Sequence, residues 1–364
     1  MAQSLHYVLP TFSVGGAQRR FAAVASALCL RYSFGITALD GNYGAASLFS
    51  DGVQWKCVPF HNDGRDFLKT YAAARRQLRS AQSTTLVTNN WGAIEWAAAN
   101  LPKLVRHVHI EDGFGPEEAH GQLLRRVWFR RLVLRWHSAV VLPSLTLLGI
   151  ARDVWQLPER CLHYVPNGIP CAKFDRAADA ALAAKIVGTG PVIGTVAALR
   201  KEKALDRLIH AFAMVRKQAP ARLAIVGEGG ERPGLEALVH SLGLAADVTF
   251  LGHMGRPEDI LSAFDIFALS SDTEQMPLTV LEAMAAGLPV AGVDVGDVKH
   301  LVGVENRRFI GPVDAAALAA SMAGLAVDSG LRRHIGVANR VRARTEYEQD
   351  GMFEAYDRLF SGVN

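Results

Sequence analysis

Two glutamates with seven residues between them, Glu274 and Glu282, are the strongest candidates for binding chemistry in this sequence. Glu282 lies inside the apolar run 278–286, where an unpaired carboxylate is costly to bury and tends to lose its charge. A carboxylate has two acceptor oxygens, which pair well with a vicinal diol such as that of a ribose. We therefore predict that ligand hydroxyls and nearby cations complete the hydrogen bonds of Glu282. The alternative is a buried salt bridge.

The residues around Glu282 have the pattern of a short helix that begins after Pro277 and ends before Gly287. The amides of residues 278–280 would then be free donors at the positive end of the helix, where they suit a diphosphate. Glu274 would lie in the loop just before these amides, and Glu282 about one turn into the helix.

Three cations, Arg200, Lys201 and Lys203, stand where a predicted strand turns into a helix. Cations before a helix N-terminus oppose the helix dipole, which prefers anions there. An anionic ligand held jointly by the cations and the helix amides would explain them. The alternative is solvated surface charge.

Two glycine-rich turns follow predicted strands, Gly15-Gly16 and the segment 227–230 that contains Gly229. Glycine lets a backbone approach a ligand closely, and a helix start offers free amides. Neither turn has the glycine fingerprint of dinucleotide-binding proteins or that of a P-loop. Each is equally compatible with a flexible turn that binds nothing.

A group of titratable residues closes the predicted strand 104–110. Strand alternation puts His107 and His109 on one face, and Glu111 and Asp112 at the carboxyl end. A histidine followed by two acids at a strand exit suits hydroxyl binding or proton handling. A lone histidine is also often structural.

These residues need a scaffold of alternating strands and helices. Apolar runs predict strands over 5–9, 34–39, 54–58, 85–88, 104–110 and 139–142, and then over 191–197, 222–226, 247–251, 265–269 and 289–293. Amphipathic patterns between them predict helices, among them 17–30, 66–80 and 121–136. Two successive β/α series indicate an α/β protein with two parallel, doubly wound sheets.

The segment VPNGIP, residues 165–170, is the strongest linker signal in the chain. It predicts a first domain over 1–168 and a second over 169–345. A terminal helical pattern at 346–360 follows the second series, so residues 346–364 are expected to cross back to the first domain.

Composition excludes several classes of protein. The 364 residues are half hydrophobic and suit two globular domains. Residues 1–170 carry 18 Lys and Arg against 11 Asp and Glu, whereas the remainder carries 21 against 24. This asymmetry favours an acidic partner or an anionic surface for the first half, although no nucleic-acid partner is expected.

The four cysteines form no CxxC pair, which predicts free thiols and argues against zinc. The sequence shows neither a signal peptide nor a run of about 18 apolar residues. A cytoplasmic protein is expected, with peripheral contact at the inner face of the membrane as an option. The basic segment 125–137 supports that option because Arg, Trp and Phe suit an anionic membrane surface. Its apolar residues wrap most of the helix, however, which favours packing against a sheet with an exposed basic edge.

The chain closely resembles glycosyltransferase family 4, in which retaining nucleotide-sugar transferases have the GT-B fold: two facing Rossmann-like domains with parallel sheets and a cleft between them. The resemblance lies in Glu274, Glu282 and the following EAMAAGLPVAGVDVG, with LGH at 251–253 and IVGEGGERPGLEALVHSLGL in matching order. It is dense over about 190–300 and thinner in the first half.

The resemblance implies a role for each matching residue. Glu282 would bind the ribose hydroxyls, Glu274 would contact the donor sugar, and Arg200 with Lys203 would hold the diphosphate leaving group. His109 would face the reacting sugar. The remaining implied donor contacts are Gly15, Gly16, Gly229, His253, Met254, Gln275, Met276, Leu278 and Thr279, and the implied acceptor-side residues are Asn89, Glu111 and Asp112.

Three positions depart from the family pattern. Ala198 stands where an arginine is expected, so Arg200 is the substitute. Gln275 replaces a common glycine, and Asp112 replaces a second histidine. The donor sugar and the activation of the acceptor therefore do not carry over from the family.

The expected reaction moves a sugar from a uridine or guanosine diphosphate sugar to a glycan or lipid-linked acceptor of the cell envelope, with retention and without a cofactor. The sequence has no Asp-x-Asp motif, so no metal is expected. The alternatives are a non-catalytic nucleotide-sugar-binding protein and a nucleotide-sugar epimerase of the same fold.

Overall fold

The computed structural model describes residues 2–60, 66–80, 83–114, 116–118 and 121–362. The chain divides into two compact units. The first comprises Met1–Asn167 with Asp350–Asn364, and the second comprises Gly168–Gln349.

The first unit is built on a seven-stranded parallel sheet of order β3-β2-β1-β4-β5-β6-β7. The strands are β1 (Gln3–Leu9), β2 (Tyr32–Ala38), β3 (Trp55–Cys57), β4 (Thr85–Asn89), β5 (Arg106–Ile110), β6 (Ser138–Leu142) and β7 (Leu162–Tyr164). The helices are α1 (Gly16–Ala27), α2 (Phe67–Ser80), α3 (Ile94–Ala99), α4 (Leu124–Leu134) and α5 (Leu145–Gly149).

The second unit repeats this plan on a six-stranded parallel sheet of order β10-β9-β8-β11-β12-β13. The strands are β8 (Val192–Val196), β9 (Arg222–Val226), β10 (Val248–Gly252), β11 (Ile266–Leu269), β12 (Val290–Val293) and β13 (Ile310–Gly311). The helices are α6 (Ala180–Ala183), α7 (Leu205–Arg216), α8 (Arg232–Ser241), α9 (Leu278–Ala285), α10 (Val298–Leu301), α11 (Ala315–Ala326) and α12 (Ser329–Glu346).

The eleven predicted strands all form, because continuous apolar runs are what a sheet covered on both faces requires. The sequence reading missed β7 and β13, which have three and two residues and too little apolar content to give a signal. It also missed α12, the 18-residue helix that precedes the terminal one.

The terminal helix, α13 (Gln349–Ser361), belongs to the first unit. Its apolar stripe, Met352, Tyr356 and Phe360, joins the core cluster that contains β1 and β2. The Tyr32 hydroxyl donates to Asp357 Oδ1 at 2.8 Å. Because this apolar face packs into the core of the first unit, residues 350–361 of the helix belong to that unit and not to the second.

Each sheet has one point where the strand order reverses, between β1 and β4 and between β8 and β11. Ligands of doubly wound sheets bind outside the carboxyl ends of the strands at such points. The segments that follow these strands are therefore the expected ligand-binding segments. Within the described part of the chain, no helix is long and apolar enough to cross a membrane.

Candidate functional site

The two loops at the reversal point of the second sheet are joined by an ion pair. Lys203, in the loop after β8, places Nζ 2.6 Å from Oε1 of Glu274, in the loop after β11. The Ser271 hydroxyl donates to the same carboxylate oxygen at 2.8 Å. Both members of the pair are only partly exposed. The structure thus brings together two of the residues that the sequence singled out, which lie 71 positions apart.

Neighbouring groups fix the geometry of this pair. The Ser270 hydroxyl donates to the Lys203 carbonyl at 2.9 Å. Arg207 donates to the Ser270 carbonyl at 2.6 Å through Nη1 and to Asp272 Oδ1 at 2.6 Å through Nη2. Sequence reasoning missed Ser271 and Arg207, because their roles depend on the contact between two distant loops.

Arg200 and Lys201 are both exposed. Neither side chain has an ion pair with another described residue. Arg200 precedes the short 3₁₀ turn Lys201–Lys203 and leads directly into it. Arg200 and Lys201 therefore have similar exposure, and the role of Arg200 in holding a diphosphate stays a prediction.

Helix α9 buries Val280, Leu281 and Met284 and leaves Glu282 half-buried. Leu278 and Thr279 are also half-buried, so one partly accessible face carries all three predicted contacts. The boundary prediction was correct, because Pro277 precedes the helix and Gly287 follows it. The apolar run around Glu282 thus reflects a helix that packs on its other face, rather than a carboxylate in a dry core.

One detail of the predicted anion site was wrong. Val280 N donates to the Pro277 carbonyl at 3.2 Å, so it is not a free amide as predicted for residues 278–280. The tight first turn uses this donor and leaves the amides of Leu278 and Thr279 ahead of the first helical hydrogen bond. A diphosphate at this end of α9 would therefore meet two backbone amides.

The segment between Glu274 and α9 is anchored by its backbone. Met276 is buried, and Gln275 is half-buried with its carbonyl accepting from Asp297 N at 2.9 Å. Gly296 has φ of 53°, and a Cβ there would lie 2.2 Å from the Glu274 carbonyl oxygen. Only glycine fits this close approach, so Gly296 is a residue that supports the site and that sequence reasoning did not single out.

The backbone packing around Gly229 requires a glycine at this position, whether or not a ligand binds there. A Cβ at this position would lie 2.2 Å from the Leu199 carbonyl oxygen. Leu199 N donates to the Glu228 carbonyl at 2.9 Å, and Glu231 N donates back to the Leu199 carbonyl at 3.1 Å. The glycine turn therefore holds the loop that leads to Arg200, while donor contact by Gly229 stays a prediction.

His253 and Met254 follow β10, the edge strand of the second sheet. His253 is exposed, whereas Met254 is half-buried against the core. Strand order places β9 and β8 between this segment and β11. The predicted contact of these residues with the base stays a prediction.

In the first unit, Asp112 is the centre of a polar network at the carboxyl ends of β4 and β5. Arg20 of α1 binds both Asp112 oxygens, with Nη2 to Oδ2 at 2.9 Å, and Asn89 Nδ2 donates to Oδ2 at 2.8 Å. Arg20 Nη1 also donates to Asn167 Oδ1 at 3.1 Å. Burial works against the Arg20 charge, but the Asp112 carboxylate raises the pKa of Arg20 above its ordinary value. Sequence reasoning missed Arg20, because its partner lies 92 positions away in the chain.

His109 is fully buried and lies beside Thr88, its partner on the neighbouring strand β4. Its Nδ1 lies 2.8 Å from the Thr88 hydroxyl, which also contacts His107 Nε2 at 2.8 Å, so both rings share one face as predicted. His109 Nε2 lies 3.7 Å from Glu111 Oε2 and has no hydrogen-bond partner among the described residues. This free ring nitrogen is the group on which a proton-handling role depends.

Glu111 is fully buried in an ion pair with Arg130 of α4. Arg130 Nε lies 3.1 Å from Glu111 Oε2, and Arg130 Nη2 lies 3.3 Å from Glu118 Oε2. The Arg130 guanidinium also stacks within 4.8 Å of the Trp155 ring centre. These contacts give Glu111 a structural partner, while its acceptor-side role stays a prediction.

Gly15 and Gly16 form the start of α1, as the sequence indicated. Gly15 has an extended backbone and is the N-cap, and Gly16 is the first residue of the helix. A Cβ at Gly15 would lie 2.7 Å from Gln18 Oε1, whereas the space at Gly16 is open. The first helix bond joins Arg19 N to the Gly15 carbonyl at 2.8 Å, so the preceding amides lie ahead of the helical hydrogen bonds.

The buried histidines predict an acid-sensitive first unit. Burial, together with the neighbouring His109, lowers the pKa of His107 to about 3, and burial lowers that of His6 to about 4. A folded-state pKa below the unfolded value gives stability that is present above the unfolded pKa, near 6.5, and lost as the pH falls toward the folded pKa. We expect each histidine to contribute a loss of about 2 kcal/mol between pH 7 and pH 5.

Urea unfolding of the protein at pH 7 and pH 5 measures this loss. His107→Asn should make the decrease in unfolding free energy smaller, and the exposed His137→Asn is the matched control. An unchanged pH dependence in His107→Asn would contradict the prediction.

Within the described ranges, no group of three or more His, Cys, Asp or Glu side chains could hold a metal ion, and none of the four cysteines is in a disulfide.

Sequence comparison finds that the region around the Lys203–Glu274 pair is similar to a known protein family. Residues 182–342 match the family model for glycosyl transferases group 1. This range contains all the predicted donor residues of the second unit. The chain is 28% identical to N-acetyl-alpha-D-glucosaminyl L-malate synthase of Bacillus anthracis over 165 residues, 45% of this chain and 43% of that protein. It is 29% identical to a GDP-mannose-dependent phosphatidylinositol monomannoside mannosyltransferase of Mycolicibacterium smegmatis, over 67% of this chain and 74% of that protein.

The chain spans about half or less of the length of the first curated relatives that it matches, from 29% to 52%. Solved structures match over nearly the whole chain. Sucrose-phosphate synthase of Thermosynechococcus elongatus matches with a TM-score of 0.80 at 18% identity, over 99% of each chain. The Anabaena protein HepE in complex with UDP-glucose matches with a TM-score of 0.80 at 17% identity, over 99% of this chain and 100% of that one. These matches confirm the predicted GT-B fold, with two Rossmann-like domains.

Proposed function

We propose that this protein is a glycosyltransferase that moves a sugar from a nucleotide diphosphate sugar to an acceptor hydroxyl. The observation that carries the proposal is the 2.6 Å contact between Lys203 and Glu274 at the reversal point of the second sheet, inside the region that matches glycosyl transferases group 1. A cation beside a hydrogen-bond acceptor is what a sugar joined to a diphosphate requires.

Each group of the donor has a matching residue in the second unit. Lys203 and Arg200 supply positive charge for the diphosphate, together with the first amides of α9. Glu282, half-buried on the accessible face of that helix, accepts hydrogen bonds from the ribose hydroxyls. Glu274, oriented by Ser271, accepts from hydroxyls of the transferred sugar.

The relatives support a uridine or guanosine donor. One solved structure of the same fold, HepE, is described in complex with UDP-glucose, and one relative is named as GDP-mannose-dependent. We assign donor binding to the second unit and the acceptor side to the first, with Asn89, Glu111 and Asp112 as its polar residues and His109 as the catalytic candidate beside them.

The acceptor that we propose is a glycan or a lipid-linked sugar of the cell envelope, used on the cytoplasmic side. Two relatives are named for lipopolysaccharide core biosynthesis and for exopolysaccharide phosphotransfer. These names concern envelope polymers, which is the support for this choice. Two other functions remain, a binding protein without turnover and an epimerase, and analysis of the reaction products distinguishes both from a transferase.

We propose that transfer proceeds at the front face of the sugar. The acceptor oxygen forms a bond to the anomeric carbon while the bond from that carbon to the diphosphate breaks, and a phosphate oxygen takes the acceptor proton. The protein then supplies position and charge stabilisation rather than a covalent intermediate.

We expect donor binding without a divalent metal, because Arg200 and Lys203 supply the positive charge. Calorimetry with a panel of UDP- and GDP-sugars in the presence of a chelator measures this binding. A donor that binds only after magnesium or manganese is added would contradict the prediction. Release of nucleoside diphosphate with an acceptor would exclude the binding protein, and conversion of the bound sugar to its epimer would support the other alternative.

We expect the product to keep the anomeric configuration of an α-linked donor, because a front-face reaction does not invert that carbon. Proton NMR of the product, recorded early in the reaction, gives the configuration directly. A β linkage formed from an α-linked donor would show that the front-face mechanism is wrong.

A further inference from the structure

Four large apolar side chains form an exposed ridge along α4 and the turn after it. Leu124, Trp128 and Leu132 are four residues apart and follow one another along one side of α4, and Trp136 lies in the turn after the helix. They are exposed by 76%, 63%, 64% and 56%. The opposite side of α4 is buried through Val127, Arg130, Val133 and Leu134. The helix therefore packs against the sheet, as the sequence favoured, but its outer edge is apolar as well as basic.

Arginines accompany the ridge. The guanidinium of Arg131 lies 4.8 Å from the centre of the Trp128 ring, and that of Arg135 lies 4.9 Å from the centre of the Trp136 ring. Arg125 is exposed one residue after Leu124. Tryptophan and arginine side by side are suited to the interface of a bilayer, where rings sit at headgroup depth and cations meet lipid phosphates.

A basic cavity of about 780 Å³ adjoins the end of the ridge and shares Trp136 with it. The cavity lies at the amino ends of β5, β6 and β7, opposite the edge that carries Asp112. No acidic side chain is among the described residues that line it. The permanently charged residues that line it are Lys103, Arg106, Arg160 and Arg358. Arg358 also lies 3.9 Å from Glu354, so the other three cations dominate the charge.

We propose that the ridge and the basic cavity together form a surface that docks on a bilayer containing anionic lipids. The ridge inserts its rings and leucines among the headgroups, and the cavity binds lipid phosphates. A second copy of the chain fits less well, because both copies would bring the same exposed cations, Arg125 and Arg135, to one interface, where like charges repel. An anionic lipid surface supplies the opposite charge instead.

Sedimentation with vesicles tests this surface on the full chain. We expect binding to vesicles of equal phosphatidylglycerol and phosphatidylcholine, and little binding to phosphatidylcholine alone. The double variant Trp128→Gln/Leu132→Gln should lower the partition coefficient by at least about tenfold, because it removes the inserted area. Arg125→Gln and Arg135→Gln should each lower the partition coefficient by about fivefold. The double variant Lys103→Gln/Arg160→Gln should lower the partition coefficient more than either single arginine variant, because it removes two cations.

Two control variants make the result specific. Leu30→Gln removes an apolar side chain that is 92% exposed in the same unit, and Arg333→Gln removes an exposed arginine of the second unit. Both should bind vesicles as the unmodified protein does. The proposal is overturned if the ridge variant keeps full binding, if both kinds of vesicle bind equally, or if the protein binds neither. A dimer seen by analytical ultracentrifugation without vesicles, and dissociated in the ridge variant, would instead identify a second copy as the partner. Because vesicle binding is measured without a donor, its failure would leave the proposed transferase activity intact.

Discussion

Lys203→Ala is expected to lower kcat by about 10²–10³-fold with a smaller change in donor binding. Negative charge grows on the leaving diphosphate in the transition state, so a cation aimed at it contributes more to rate than to ground-state binding. Lys203 Nζ lies 2.6 Å from Glu274 Oε1 at the reversal point of the second sheet, where the proposed donor would bind. Steady-state kinetics with the donor identified by calorimetry give both kcat and KM.

Arg200→Ala should have an effect of the same size, and Lys201→Ala is the matched control for both. Lys201 is exposed in the same 3₁₀ turn and has no ion pair with the described residues, so it should keep nearly full activity. The Arg200 and Lys201 variants should fold, since exposed cations contribute little to stability. Lys203 is only partly exposed and is paired with Glu274, so urea unfolding of Lys203→Ala is measured beside its kinetics. A crippled Lys201→Ala beside a normal Arg200→Ala would show that the assignment of the second cation is wrong. Full activity in all three would mean that the diphosphate binds elsewhere.

Arg130→Met is expected to lower the free energy of unfolding by about 3–5 kcal/mol. Arg130, Glu111 and Glu118 have fully buried side chains and form one ionic cluster. Removing the cation leaves the buried Glu111 carboxylate without its arginine partner, where burial of charge is most costly, whereas Glu118 keeps Arg126 Nη1 at 3.0 Å. Urea unfolding monitored by tryptophan fluorescence measures the change.

Arg125→Met is the matched control, because Arg125 lies in the same helix but is exposed. Its unfolding free energy should stay within about 0.5 kcal/mol of the unmodified protein. The variant Arg130→Met/Glu111→Gln should recover part of the loss, since it removes the carboxylate that has lost its arginine partner. A small effect of Arg130→Met alone would mean that water or a shifted side chain compensates the carboxylates, and the cluster would then not stabilise this unit.

Local pattern predicted the elements around the candidate site. The apolar run after Pro277 predicted α9 and its end, and the accessible face with Glu282 follows from a helical repeat. The same reasoning failed at β13, because two residues carry no periodic signal. It also counted Val280 as a free donor, because pattern does not distinguish an α-helical first turn from a tighter one.

The sequence by itself determined the two β/α series, the start of α1 at Gly15-Gly16 and the face of α9 that carries Glu282, because each depends on neighbours within a few residues of the chain. Only the tertiary structure decided which charges are paired. Asp112 binds Arg20 from 92 positions away, Glu274 binds Lys203 from 71 positions away, and Glu111 is neutralised by Arg130 of a helix that pattern also allowed to face outward. An ion pair forms where folding brings two charges within a few ångströms, and in a parallel sheet the strand order sets that distance, whereas sequence separation does not.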